Sequence, residues 1–213
     1  MWNIKNETFL KDIKWLTGAQ IALSTGTSGN SDIPYYDHLA LVAGNANYED
    51  QAGTYPYQSG NRDLGWEQTW ANNIGLRLGF FNRANMNIDF YHKKTTNMLM
   101  YVPTSYAVTG EGFRWDNIGA MINRGVEITI DGDVIRTKDF AWNLNANVSY
   151  NKNKLVELYN GVQEYVNSTT GLKYVVGHPV HEFFLNRYAG VNPANGDALW
   201  YTKDGELTTE FRE

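Results

Sequence analysis

Cysteine is absent from the 213 residues, which excludes disulfides and thiolate metal sites but leaves the compartment open. Proline is scarce, five residues against 20 glycines, a balance that suits one all-β domain or part of a larger one. No uninterrupted run of about 18 apolar residues occurs, so no transmembrane helix is expected. Basic residues are in deficit: 18 Lys plus Arg face 23 Asp plus Glu, the net charge is -5, and no basic stripe runs along the chain. Nucleic acid is therefore excluded as a partner. The opening Met1-Trp2-Asn3-Ile4-Lys5 lacks the basic region, apolar core and small-residue cleavage site of a secretory signal. Export is expected to depend on sequence outside this chain.

What the chain does carry is alternation. From Trp66 to Lys94, two strands are joined by a very short turn. In the first, Trp70, Ile74, Leu76, Leu78 and Phe80 share one face, with Asn73, Gly75, Arg77 and Gly79 on the other. In the second, Met86, Ile88 and Phe90 alternate with Asn85, Asn87, Asp89 and Tyr91. Phe81-Asn82-Arg83 between them has room only for a hairpin, so the strands are antiparallel neighbours. At roughly 3.3 Å per residue the first extends about 45 to 50 Å, beyond the roughly 17 to 20 Å of an ordinary globular strand. A long strand, apolar on one face and rich in Asn, Asp and Arg on the other, fits the wall of a membrane barrel. A mean hydropathy of -0.48 is compatible with this, because such strands hide their apolar face in alternation.

Other segments follow the same rule. Residues Asn3 to Lys14 read as a short amphipathic piece with one or two helical turns. A first strand, with Ala19, Ile21 and Leu23 alternating, breaks at Thr25-Gly26-Thr27-Ser28-Gly29-Asn30. Ser31 to Leu64 reads as an ordered, tyrosine-rich loop. Pro103 to Met121, with Gly110, Gly112 and Gly119, is a second long connection. Val126, Ile128 and Ile130 mark another strand, Arg136-Thr137-Lys138-Asp139 a short turn, and Phe140 to Tyr150 a last strand whose other face is the stripe Asn143, Asn145, Asn147, Ser149 and Asn151. Strands are thus expected at about 15–26, 66–81, 84–101, 122–134 and 139–152, with a loop region at 153–213. Within that region, short extended pieces around Leu185 to Val191 and Ala198 to Thr202 flank a turn at Asn192 to Asp197. Connections alternate long and short, as in outer-membrane barrels with short periplasmic turns and long outer loops. On this assignment His92 and Lys94 also face lipid. A lipid-facing Lys costs about 2 to 4 kcal/mol at the midplane and little near an interface, so both are expected at the outer rim.

Several residues invite sharper chemistry, each beside a plainer reading. His178 and His181 suggest a metal pair, against a polar loop with no third ligand nearby. Asp197 and Asp204-Gly205 suggest calcium, against ordinary turn chemistry. Glu67, Asp89 and Glu127 resemble glycosidase carboxylates, against the polar lining of a barrel. The plainer readings leave no catalytic residue, metal or cofactor. Tyr35, Tyr36, Tyr48, Tyr55, Tyr57 and Trp115 are the substrate-binding candidates, stacking on sugar rings or packing on a peptide; the plain alternative is that they pack the loops together or against a partner.

Asn61-Arg62-Asp63-Leu64-Gly65-Trp66-Glu67, Phe80-Phe81-Asn82, Ile88-Asp89-Phe90-Tyr91-His92-Lys93-Lys94-Thr95, Asn117-Ile118-Gly119 and Asn123-Arg124-Gly125-Val126-Glu127 come in a distinctive order. With Tyr150-Asn151-Lys152-Asn153-Lys154, Gly177-His178-Pro179 and Ala189-Gly190-Val191-Asn192-Pro193, the run resembles the carboxy-terminal barrel region of SusC/RagA-type TonB-dependent receptors of Bacteroidetes. Arg62 departs from the Pro more usual there. The resemblance implies an all-β antiparallel meander, five strands of a 22-stranded transmembrane barrel with long extracellular loops. It further implies a fragment of an importer of glycan oligomers or peptides, located in the cell outer membrane. The implied partners are outer-membrane lipid, a SusD-like surface lipoprotein and the TonB complex, the last acting through a plug domain absent from this chain. The alternative is a secreted β-sandwich that binds carbohydrate.

Overall fold

Period-two alternation sets where the strands form, and pairing sets where they end. In this computed structural model, residues 1–49, 51–105, 112–167, 172–180 and 185–211 are described. The strands are β1 (Leu16–Asn30), β2 (Leu41–Tyr48), β3 (Gln51–Gln58), β4 (Glu67–Phe80), β5 (Ala84–Thr96), β6 (Leu99–Pro103), β7 (Phe113–Asn117), β8 (Ala120–Arg136), β9 (Ala141–Glu157), β10 (Glu164–Asn167), β11 (Leu172–Val175), β12 (Arg187–Val191), β13 (Ala198–Tyr201) and β14 (Leu207–Thr208). The main sheet is five-stranded and antiparallel, ordered β1-β4-β5-β8-β9, and it does not close on itself. Hairpins β2-β3 and β6-β7 lie in the long connections between wall strands, and hairpin β10-β11 and the three-stranded β12-β13-β14 follow β9.

Register turns alternation into rows. Ala19–Leu78–Met86–Ile130–Ala146, Ile21–Leu76–Ile88–Ile128–Val148 and Leu23–Ile74–Phe90–Val126–Tyr150 are each paired straight across all five strands. These three rows contain no polar side chain apart from the hydroxyl of Tyr150. The rows between them, Gln20–Arg77–Asn87–Thr129–Asn147 and Ala22–Gly75–Asp89–Glu127–Ser149, face the other way and are mostly polar. On the apolar side Leu23, Ile74, Phe90, Val148 and Tyr150 are all exposed. Among the described residues only Leu16, Ala19, Val102, Ala120, Leu155 and Leu158 are buried apolar side chains. A β-sandwich would bury such a face against a second sheet about 10 Å away; this sheet is a single wall.

Strand limits differ from those read in the sequence, and each difference has a local cause. β1 does not break at Thr25 but pairs through Asn30 opposite Glu67, because β4 offers backbone partners whatever the side chains. At Gly29 a Cβ would lie 2.5 Å from the ring of Trp66, so a larger residue there would displace that exposed side chain. β5 stops at Thr96 instead of reaching Tyr101: Asn97 adopts φ 53° and Leu99–Pro103 pairs with Phe113–Asn117. β8 and β9 run longer at both outer ends, to Ala120 and Glu157. The tyrosine-rich loop contains β2 and β3. Near the start, the expected helical segment is a single 3-10 turn at Ile4–Asn6, followed by turns tied to the Lys5 ammonium, which donates to the carbonyls of Leu10, Lys11 and Ile13 at 2.8, 2.9 and 2.9 Å.

Both short connections are built by their residues. Phe81 and Asn82 take φ 53° and 50°, and Arg83 N–H donates to the Phe80 carbonyl at 2.9 Å. Left-handed turn residues match the twist of the flanking strands. At 137–140, the Thr137 hydroxyl both donates to the Phe140 carbonyl and accepts its N–H.

Two outcomes follow. A Cβ at Gly125 would overlap the Tyr150 carbonyl oxygen and lie 2.6 Å from the Tyr91 hydroxyl, whereas one at Gly26 meets nothing within 4 Å. Gly125→Ala is expected to destabilise the sheet by about 1–3 kcal/mol and Gly26→Ala to leave it nearly unchanged, as read by thermal unfolding in micelles. In the β10-β11 hairpin, burial first, then the neighbouring Tyr159 and Tyr174, pushes the Tyr165 hydroxyl above its ordinary value of 10.0. The unfolded phenol then ionises before the folded one, so the hairpin is expected to loosen as pH rises past 10.0, seen as faster proteolysis at 164–175.

Candidate functional site

Two regions gather polar side chains. On the polar face, Asn73, Asp89, Tyr91, Lys93, Asn123, Glu127 and Asn151 line an open groove of about 440 Å³. The Tyr91 hydroxyl reaches over Gly125 to donate to Asn151 Oδ1 at 2.9 Å, a reach that only a glycine row position permits. The Lys93 ammonium lies 5.4 Å from the centre of the Tyr91 ring. Asp89 and Glu127 are direct cross-strand partners. Lower on the same face, Asn85 Nδ2 donates to Asp131 Oδ2 at 3.0 Å, Asn143 donates to Asp133, and Arg136 pairs with Asp133 at 2.8 Å. Amides and mixed charges of this kind suit a polar neighbour that offers both donors and acceptors.

The second region joins the long connections. Asn61 is buried; its Nδ2 donates to the Trp115 carbonyl at 3.0 Å and to Asp116 Oδ1 at 3.2 Å, and its Oδ1 accepts from Asp63 N–H at 3.1 Å. Asn117 answers from the facing hairpin: Nδ2 donates to the carbonyls of Gly65 and Asn97 at 2.9 and 3.0 Å, and Oδ1 accepts from Gly65 N–H. The Trp115 indole N–H donates to Asp37 Oδ2 at 2.7 Å. Two sequence phrases more than fifty residues apart, Asn61–Glu67 and Asn117–Gly119, thus form one junction. Gly119 sits at φ 95°, where a Cβ would come within 2.9 Å of the Glu157 carbonyl.

The binding candidates separate. Tyr35 is 94% exposed, and Tyr36, Tyr55 and Tyr57 are exposed as well. Tyr48 ends β2 opposite Gln51, and its side chain lies outside the described residues. Of the candidates whose side chains are described, Trp115 is drawn into an aromatic group, with Tyr101 at 5.6 Å; Tyr101 stacks in turn on Phe113 at 5.4 Å. Tyr101 and Phe113 escaped the sequence reading because Tyr101 was assigned to the preceding strand; the spacing of Phe113 and Trp115 is the signal that exposes them.

The three carboxylates do not converge: Asp89 and Glu127 are neighbours, and Glu67 stands apart from both. Glu67 accepts the Leu99 N–H at 3.3 Å and stands eight residues along β4 from Gly75, the partner of Asp89, about 26 Å away at roughly 3.3 Å per residue. Asp197 accepts from Asn195 Nδ2 at 2.7 Å while its N–H donates to Asn195 Oδ1 at 3.1 Å, and Gly205 N–H donates to the Thr202 carbonyl at 3.0 Å; these are turns. The backbone at 177–178 docks on β9, with Leu155 N–H donating to the His178 carbonyl and Gly177 N–H to the Leu155 carbonyl, both at 2.8 Å. His181 and Gly110 lie outside the described residues. Among the described residues no group of three or more His, Cys, Asp or Glu is placed to hold a metal ion.

Residues 21–209 match the family described as TonB dependent receptor-like, beta-barrel. The chain is 35% identical over 158 residues to TonB-dependent receptor P39 of Formosa agariphila, covering 74% of this chain and 15% of that protein. It is 32% identical over 217 residues to TonB-dependent receptor SusC of Bacteroides thetaiotaomicron, covering 93% of this chain and 21% of that one. Among solved structures it resembles the RagAB peptide importer in its open-open state, with a TM-score of 0.87, 34% identity, and coverage of 99% of this chain and 23% of that chain. The closed-closed state of the same importer gives a TM-score of 0.85. The chain spans about a fifth or less of the length of the curated relatives it matches.

Asn117→Ala removes both ends of an amide that ties three segments. A cost of about 1–3 kcal/mol is expected at the junction, visible in hydrogen exchange as lost protection at Gly65 with β4 and β5 unaffected.

Proposed function

The chain belongs to the TonB-dependent receptor-like β-barrel family, and from that membership we propose that it supplies wall and outer loops to an outer-membrane importer of glycan oligomers or peptides. The observation that carries this reading is the set of three apolar rows, unbroken across five strands and exposed on one side, backed by polar rows on the other. Such a sheet has every interior backbone group paired and offers hydrocarbon to its surroundings, which is what a bilayer requires of a strand wall. The groove of Asn73, Asp89, Tyr91, Lys93 and Glu127 then faces the lumen and its contents. No side chain in this reading forms or breaks covalent bonds; transport is driven elsewhere.

Partners follow from the relatives. A SusD-like surface lipoprotein closes over the outer loops, and the TonB complex supplies energy through a plug seated in the lumen. Tyr35, Tyr36, Tyr48, Tyr55, Tyr57 and Trp115 are retained as candidate contacts to cargo or lid on the outer side. The secreted-sandwich alternative is disfavoured, because it requires a second sheet over the apolar rows, and the described strands form none there.

Ile128 sits in the middle apolar row and Thr129 in the adjoining polar one. Ile128→Arg is expected to cost about 2–4 kcal/mol and to deplete the protein from the outer membrane in fractionation blots, with Thr129→Arg assembled normally. Equal tolerance of both would remove the wall reading. In intact cells, trypsin is expected to cut at Lys173 while Arg136 and Lys138 stay protected.

A further inference from the structure

The apolar rows end abruptly. On the same face the next row is Thr25–Asn72–His92–Arg124–Lys152, and the one after is Thr27–Trp70–Lys94–Ile122–Lys154. His92, Lys94, Arg124, Lys152 and Lys154 come from three adjacent strands, about 4.8 Å apart with roughly 3.3 Å per residue. Their backbone positions therefore fall within a patch of about 10 by 7 Å. All five side chains are exposed, and none takes part in an ion pair among the described residues. Neither row holds an Asp or Glu, although the chain carries a net charge of -5. Of the acidic residues of these strands, Asp89, Glu127 and Asp131 belong to rows of the opposite face, Asp133 lies at the far end beside the short turn, and Glu157 pairs with Ala120 one row beyond Lys154. Trp70 and Tyr150 flank the patch, both exposed.

We propose that this patch is a headgroup belt that binds the phosphates of anionic lipid in the leaflet at the end of the wall away from the short turns. The proposal rests on the wall reading above and adds the class of lipid that the wall selects. Arg124 offers a planar fork for two phosphate oxygens, and the lysines add mobile point charges around it. A soluble anion would satisfy the cations alone. A lipid satisfies both halves of a continuous surface, with acyl chains on Leu23, Ile74, Phe90, Val126 and Tyr150 and phosphate on the row directly beyond.

The test reconstitutes the assembled receptor in phosphatidylcholine vesicles with trace spin-labelled phosphatidylglycerol or spin-labelled phosphatidylcholine. Lipid held at the wall gives a motionally restricted signal. A preference of about threefold or more for phosphatidylglycerol is expected, falling toward equality in K94Q/R124Q/K152Q/K154Q while the total restricted fraction stays constant. Lys93→Gln with Arg77→Gln, on the other face, should keep the preference. Equal association of both labels with the wild type, or an undiminished preference in the quadruple variant, overturns the belt and leaves the wall reading standing. Loss of the preference on adding excess inorganic phosphate at constant ionic strength assigns the patch to a free anion and overturns the lipid assignment. Absence of any restricted lipid overturns the wall reading and the belt together.

Discussion

One constraint underlies the rest: the antiparallel ladder from β1 to β9 holds a single register across its central rows, and the pleat sends every second residue of each strand to the same side. A slip of one residue in any pair would turn that strand's apolar set to the polar face and its polar set to the apolar one. Here no pair slips within the rows that matter. Shifts are confined to the ends, between Leu16 and Gly18, Ala120 and Met121, and Asp133 and Ile135. Bulges there bend the strand without disturbing the surface between them.

From that register follow the two faces and their different rules. Among the described residues most of the apolar face is uncovered, buried Ala19 at its edge excepted, so its contribution to stability depends on the medium, whether hydrocarbon or water. The polar face is held by local contacts: Tyr91 to Asn151, Asn85 to Asp131, Asn153 to Asn123. Glycine appears where one side chain must cross a neighbouring strand, as at Gly125 beneath Tyr91, and at Gly75, where a Cβ would lie 2.7 Å from Asp89 Oδ1. His92 and Lys94, awkward when read one strand at a time, become intelligible in the sheet. They stand with Arg124, Lys152 and Lys154 beyond the last apolar row.

The outer connections are organised differently. Their hairpins are short; aromatic contacts such as Tyr101 with Phe113 and Trp115 pack within them, and amide side chains join one segment to the next. Asn61 and Asn117 each use donor and acceptor ends at once on partners more than thirty residues away in at least one direction. An amide that saturates its hydrogen bonds in a partly buried junction specifies one arrangement of loops, because each alternative leaves a polar group unpaired. Family membership was legible in these phrases, yet their purpose was not, since nothing in the spacing of Asn61 and Asn117 says that they meet.

The strands of the wall, their antiparallel order, the short turns at Phe81 and Thr137 and the segregation of apolar from polar faces were all present in the amino-acid sequence, because a period of two and a three- or four-residue connection are local properties. Strand ends were not. Thr25 to Asn30 and Asn153 to Glu157 extend because a neighbour supplies hydrogen-bond partners, while Leu99 to Pro103 leaves β5 because Phe113 to Asn117 supplies better ones. The same holds for the hairpins in the long connections, for the Trp115 to Asp37 contact and for the cationic patch, each assembled from segments far apart in the chain. Alternation alone determines which way a side chain points. Which side chains stand beside it is decided by register between strands, a pairing that exists only once the sheet has formed.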